Sequence, residues 1–252
     1  MDEKLLTENI IDYGDSAAAE VVVESSGDGV SLNDFAHLHL HTQYSLLDGA
    51  ILIEKLVDRA KELGMKSVAI TDHGVMHGVV DFYKQMSAAG IKPIIGMEAY
   101  ISPTSRSYTN YSRGETSNYH LVLLAKDNTG FDNLRKLATI AQLEGFYMKP
   151  RIDKEVLREH KEGIIALSAC LGGEIPQKIL KTGYKEALEA AKEFQEIMGE
   201  GNYYLEIQEN GIPEQTIVNQ QLINISNETG IPLVATCDCH YLHKKITLPM
   251  WF

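Results

Sequence analysis

Little in this chain is positively charged: 23 Lys and Arg stand against 35 Asp and Glu in 252 residues, a formal net charge of −12. That balance excludes a free-standing module that grips nucleic acid with a basic surface. Any nucleic acid would be held by a partner, by another domain or by bound cations. Cysteine is scarce as well. Cys170, Cys237 and Cys239 are the only three, too few for a secreted disulfide framework, so a reducing, cytoplasmic setting is expected. No apolar run approaches the roughly 18 residues of a membrane span, and the N-terminus is acidic, so neither a span nor a signal peptide is expected. Also missing are a Gly-x-Ser-x-Gly elbow, a phosphate-binding Gly-x4-Gly-Lys-Ser/Thr loop and a Gly-x-Gly-x-x-Gly dinucleotide turn. Of the common reaction classes, metal-assisted hydrolysis survives these absences.

Residues 1–34 carry nine Asp and Glu against one Lys and read as an acidic, disordered leader. From Phe35 onward short β-rich runs alternate with helical ones. Strands are expected at 35–41, 66–71, 92–100, 119–125, 163–168, 202–207 and 231–236. Helices are expected at 51–63, 76–90, 128–143, 173–181, 184–199 and 214–229, and a polar loop at 101–117. Gly64, Gly90 and Gly230 each follow a helical run, as helix-ending glycines do. Strands alternating with helices imply a parallel sheet whose right-handed crossovers let it close into an α/β barrel. The chemistry of such barrels sits at the carboxyl ends of the strands.

Polar residues gather at those ends. Residues two apart on a strand share a face, so His39 and His41 point together, as do Asp238 and His240. Neutral imidazole suits zinc and manganese, and two histidines on an apolar strand would be costly to bury unpaired. His37 shares their face deeper along the strand, where a hydrogen-bonded core histidine is favoured. His73 follows the apolar run Ala69-Ile70 and breaks it, as a strand-end loop does; Asp72 points the other way and suits a supporting role. Glu98 is an acid inside the apolar strand 92–100, a placement that needs a partner or a metal, and its carboxylate could bridge two ions. Asp48 is equally explained as the N-cap of helix 51–63. Cys170 reads by itself as a small buried hydrophobe. Cys237 and Cys239 share the face opposite Asp238; a Cys-x-Cys zinc site there lacks a second cysteine pair, and the two read as filler. His120 fits poorly, because it opens its strand rather than closing it.

The motifs His39-x-His41, Asp48, Thr71-Asp72-His73-Gly74, Gly96-x-Glu98, His120, Cys170 and Asp238-x-His240 resemble those of the PHP (polymerase and histidinol phosphatase) superfamily. The text between them, including "AITDHGVMHGVVDFYKQMSAAGIKPIIGMEAYI", "GFYMKPRIDKEVL" and "GIIALSACLGGEI", is similar to the N-terminal PHP domain of bacterial DNA polymerase III alpha subunits. The likeness runs from about Phe35 to Tyr241, with the barrel expected over 35–243. The last residues, 244–252, do not match and read as a truncated tail.

The resemblance implies a distorted (β/α)7 TIM-like barrel. It also implies nine ligands, His39, His41, Asp48, His73, Glu98, His120, Cys170, Asp238 and His240, for up to three divalent metals of the Zn2+, Mn2+ or Fe2+ kind. Asp48, His120 and Cys170 enter that set through the resemblance alone. His39, His41, Glu98 and Asp238 are expected to carry catalysis, as a 3′–5′ exonuclease acting on DNA 3′ ends. The palm, fingers and thumb of a polymerase are missing, so no polymerase site is expected here. The rest of the alpha subunit and a separate proofreading exonuclease are the implied partners. A catalytically silent docking module, or a histidinol-phosphatase-like enzyme for small molecules, are the alternatives.

Overall fold

A computed structural model describes residues 35–243; the expected leader and tail lie outside them. Fifteen regular elements follow one another in it. They are α1 (Ile53–Glu62), β1 (Ser67–Ile70), α2 (Val79–Ala88), β2 (Lys92–Ile101), β3 (Tyr119–Ala125), α3 (Asn128–Leu143), β4 (Phe146–Tyr147) and β5 (Lys149–Ile152). After these come α4 (Lys154–Glu159), β6 (Ile164–Leu167), α5 (Glu174–Lys181), α6 (Tyr184–Met198), β7 (Tyr203–Ile207), α7 (Pro213–Thr229) and β8 (Leu233–Ala235). Among the described residues no helix is long and apolar enough to cross a membrane.

The helices form where apolar residues recur at helical spacing and a cap is at hand. In α1, Ile53, Leu56, Val57 and Ala60 make one buried stripe. Asp127 and Asp153 start α3 and α4, their side chains accepting from the backbone N–H of Gly130 (2.9 Å) and Val156 (3.1 Å). Gly64, Gly90 and Gly230 all take positive φ, between 67° and 75°, so each turns the chain out of a helix in a conformation that would strain other residues.

The sheet runs β1-β2-β3-β6-β7-β8, with the small β4–β5 hairpin hydrogen-bonded to the far end of β2. It curls into a distorted barrel and closes through residues 37–42. His37 bridges Val68 of β1 on one side, and Leu40 bridges Cys239, just past β8, on the other. His41 N–H donates to Cys239 C=O (2.8 Å) and Cys239 N–H to His39 C=O (3.1 Å) across that seam. Interior side chains Val122, Leu124, Leu167 and Ala69 fill the barrel, and a larger apolar layer lies between the sheet and helices α3, α5, α6 and α7.

Three expectations are corrected. First, the sheet is not wholly parallel: β3 pairs antiparallel with both β2 and β6. Residues 102–118 between β2 and β3 contain no helix. A parallel return normally needs a helical crossover, so the chain doubles back instead. Second, residues 35–41 are not a continuous strand but touch their neighbours by single bridges. Leu38 packs inside the barrel on Ala69 and Val122, while His37 and Leu40 face the outer layer under α1. The alternation slips between residues 38 and 39, so His37 does not share the face of His39. Third, β4, β5 and α4 were not anticipated; they are too short to register as periodic runs.

Candidate metal centre

All nine expected side chains come to the rim where β1, β2, β6, β7 and β8 end. His120 reaches the same rim because β3 is antiparallel: its first residues lie beside the last residues of β2, with Tyr100 paired to His120. The mismatch seen in the sequence thus has a topological cause.

The acids sit at the middle. Glu98 is buried, its Oε1 lying 3.2 Å from His39 Nε2 and 3.0 Å from His120 Nδ1. Its Oε2 lies 2.5 Å from His73 Nδ1 and 3.6 Å from His41 Nε2. Asp238 Oδ1 stands 3.2 Å from His39 Nε2, 3.1 Å from His41 Nε2 and 3.2 Å from His240 Nε2. Asp48 is not a helix cap. The residue before α1 is Leu52, and Asp48 Oδ2 meets His73 Nε2 at 3.1 Å while its Oδ1 is 3.7 Å from His240 Nδ1. Cys170 Sγ closes the other flank, 3.7 Å from His120 Nδ1 and 3.9 Å from Glu98 Oε1. Two non-glycine residues take left-handed backbone here, Ala169 (φ 64°) and Asp238 (φ 51°). Each stands at or beside a site side chain, where local strain is held by the surrounding fold.

Three overlapping triads have donor atoms within 4.8 Å of one another: His41–His73–His240, His39–His41–Asp238 and His73–Glu98–His120. Six buried atoms of the nine side chains have no hydrogen-bond partner: His39 Nε2, His41 Nε2, His73 Nδ1, Asp48 Oδ1, Glu98 Oε2 and Asp238 Oδ1. They are close to one another yet misaligned for hydrogen bonding, because they aim at shared points between them. A buried polar atom without a partner is costly, and cations at those points would satisfy the whole set. The donor chemistry, imidazole and carboxylate with one thiol, fits zinc, manganese or iron.

Electrostatics divide the histidines. Burial, helped by the neighbouring His73 and His240, drives His41 down to about 3 despite its contact with Asp238, leaving it neutral. For His73, burial is outweighed by Glu98 and Asp48, which push it up to about 10. Burial also opposes the charge on His39, but Asp238, Glu206 and Glu98 together hold it well above its ordinary value. Despite burial, Glu98 is held well below the usual carboxylate range by His120, His39 and His73, and Asp238 by His39 and His240.

A supporting layer orients it. Asp72 accepts from Thr42 N–H (2.6 Å), Thr42 Oγ1 (2.8 Å) and Ser45 Oγ (2.8 Å), and Ser45 Oγ lies 3.0 Å from His41 Nδ1. This is the indirect role its position on the strand implies. Glu206, which sequence reasoning passed over, lies 2.7 Å from His39 Nδ1 and also accepts from Gln208 and Thr236. It was detectable by the same signal as Glu98, an acid inside an apolar strand. Arg151 is fully buried and donates to the carbonyls of Gly145, Ser117, Arg106 and Tyr108, pinning the loop that leads into β3.

The PHP domain family matches over residues 37–210. This chain belongs to the PHP family. The domain is 52% identical over 218 residues to the DNA polymerase III subunit alpha of Helicobacter pylori strain J99, covering 82% of this chain and 18% of that protein. It is 50% identical over 217 residues to that of Aquifex aeolicus, covering 84% and 19%. This PHP domain thus spans about a fifth of the length of the curated relatives it matches. Among solved structures, a Bifidobacterium adolescentis protein described as a metal-dependent phosphoesterase superposes with a TM-score of 0.55 at 16% identity, over 86% of this chain and 91% of that one. An amidohydrolase from Chromobacterium violaceum gives 0.54 at 14%, over 85% and 92%. At those identities the likeness is one of fold.

Proposed function

We propose that this PHP domain is a metal-dependent phosphodiesterase that removes nucleotides from DNA 3′ ends, and that it acts within a bacterial replicative polymerase alpha subunit. The observation that carries the reading is the set of buried, unpartnered nitrogen and oxygen atoms converging on shared points. His39, His41, Glu98 and Asp238 form the core of the ligand set; Asp48, His73, His120, Cys170 and His240 complete it. Divalent metals bound there would supply Lewis-acid stabilisation of a phosphate and a water of lowered pKa.

The chain's own residues divide by depth. The side chains of His39, His41 and Glu98 are at most 1% exposed, whereas those of His73, Asp48, Asp238, His240 and His120 are 14–24% exposed. The deep group fixes the centre and the outer group lines the opening through which a phosphate would approach. The strong acidity of the chain means that DNA affinity must come from bound cations or from the rest of a longer polymerase.

The test uses purified protein loaded with Mn2+ or Zn2+ and a 3′-labelled oligonucleotide. Release of mononucleotides is expected, and its loss in both His41→Ala and Asp238→Ala. Undiminished release in those two variants sinks the mechanism. A different outcome, metal-dependent thermal stability with no nuclease activity under any metal, supports a structural and docking role for the domain beside a separate proofreading subunit.

A further inference from the structure

Outside the barrel centre, a different group of metal-ligating side chains meets on the outer wall. Cys239 Sγ lies 3.4 Å from His37 Nδ1, and Cys237 is buried in the same apolar layer as Cys239, its thiol near both Cys239 and His37. All three residues are buried, none more than 8% exposed. They belong to the layer of Leu40, Ile51, Leu56 and Ala60 beneath α1. Asp238 sends its carboxylate inward to the centre, and the thiols on either side of it turn outward. The slip in alternation before His39 delivers His37 to the same place.

We propose that His37, Cys237 and Cys239 form a second, separate site for a thiophilic cation of the zinc class. Three observations support it. The donors are one imidazole and two thiols, and no carboxylate lines the adjoining cavity. That set selects zinc-like ions over the hard cations that need oxygen ligands. The 3.4 Å separation of Cys239 Sγ and His37 Nδ1 also suits two corners of a zinc tetrahedron, for which bond lengths near 2.3 and 2.0 Å place sulfur and nitrogen roughly 3.5 Å apart. Finally, the cavity lined by His37 and Cys239, and bounded by Arg59 and Tyr241, is about 20 Å³, room for one water as a fourth ligand.

The site's position gives it a role. His37 belongs to the first segment of the barrel and the two cysteines to the last, and these segments meet only through single bridges. A cation held by all three would staple that seam, and with it the registers of His39, His41, Asp238 and His240. Metal bound in the folded state alone adds directly to stability.

Cobalt is the probe. In full-length protein carrying Cys170→Ser, Cys237 and Cys239 are the remaining thiols. Titration with Co2+ should then produce near-ultraviolet sulfur-to-cobalt charge-transfer absorption, displaced by Zn2+ and abolished by adding Cys237→Ser and Cys239→Ser. No such band with Cys170→Ser alone, or a band that survives the further pair, overturns the proposal. A measurement on unmutated protein guards against failure of the variants to fold. With the centre already loaded with Mn2+, added Zn2+ should slow alkylation of Cys237 and Cys239 at least about tenfold, as coordination of a thiolate removes the nucleophile. Equal alkylation rates with and without Zn2+ also overturn it.

Discussion

Replacing Glu206 with alanine should cost the centre most of its metal affinity without altering any of the nine inward-facing groups. The Glu206 carboxylate is fully buried and its Oε1 lies 2.7 Å from His39 Nδ1. Gln208 Nε2 donates to the same oxygen at 2.8 Å, and the Thr236 hydroxyl donates to it as well. An ionised carboxylate only accepts, so His39 must carry its proton on Nδ1 when it acts as a ligand. That presents the Nε2 lone pair toward Glu98 and Asp238. Removing such a partner typically weakens metal binding about 10–100-fold, or about 1.4–2.8 kcal/mol. Glu206→Ala removes the acceptor and opens a void beside the ring, so the loss should fall at the upper end. Glu206→Gln keeps a carbonyl acceptor without the charge and should lie near tenfold. Competition against a chromogenic chelator at fixed pH, with circular dichroism to verify folding, measures both. Affinities for both variants within about twofold of the parent, far less than a supporting ligand contributes, would refute the argument.

Metal affinity should rise with pH. His73, with its pKa near 10, and His39, also raised, hold protons in the metal-free protein that coordination must displace. Calorimetry in buffers of different ionisation enthalpy should show net proton release, and zero release contradicts the assignment. In chelated protein the sign for stability is the reverse. A raised histidine pKa contributes stability that is complete below about pH 6.5, its unfolded value. That contribution is lost as pH climbs through the folded value of about 10 for His73, so the melting temperature of the apo form should decline across that window. Chelation near neutral pH should itself lower the melting temperature, because metal at about a hundred times its Kd contributes about 2.7 kcal/mol; an unchanged melt counts against a metal centre. Arg151→Met should destabilise by about 3 kcal/mol by removing a buried guanidinium that ties four backbone carbonyls together, seen as a lower urea midpoint.

Much of this molecule is legible without coordinates because burial leaves a periodic trace. The stripe Ile53, Leu56, Val57 and Ala60 marks α1, and Gly230 ends α7 where the helical pattern stops. The acid at Glu98 announces itself by standing where apolar residues belong. Glu206 does so equally and was still passed over, since nothing in its neighbourhood repeats a ligand pattern. Asp48 shows the limit of local reading: a cap and a site residue look alike until α1 is seen to start five residues later, at Ile53.

What the amino-acid order determined by itself was which residues turn inward along the regular runs, the broken segment 35–41 excepted, and which polar ones sit at the ends. These are short-range consequences of side-chain alternation and capping. Only the tertiary structure decided which way β3 runs, and so that His120 joins the centre, and only it brought His37 to Cys239, 202 positions away. Strand direction and seam partners follow from closing the whole sheet on itself. That closure is a property of the assembled chain, for which no window of neighbouring residues holds a signal.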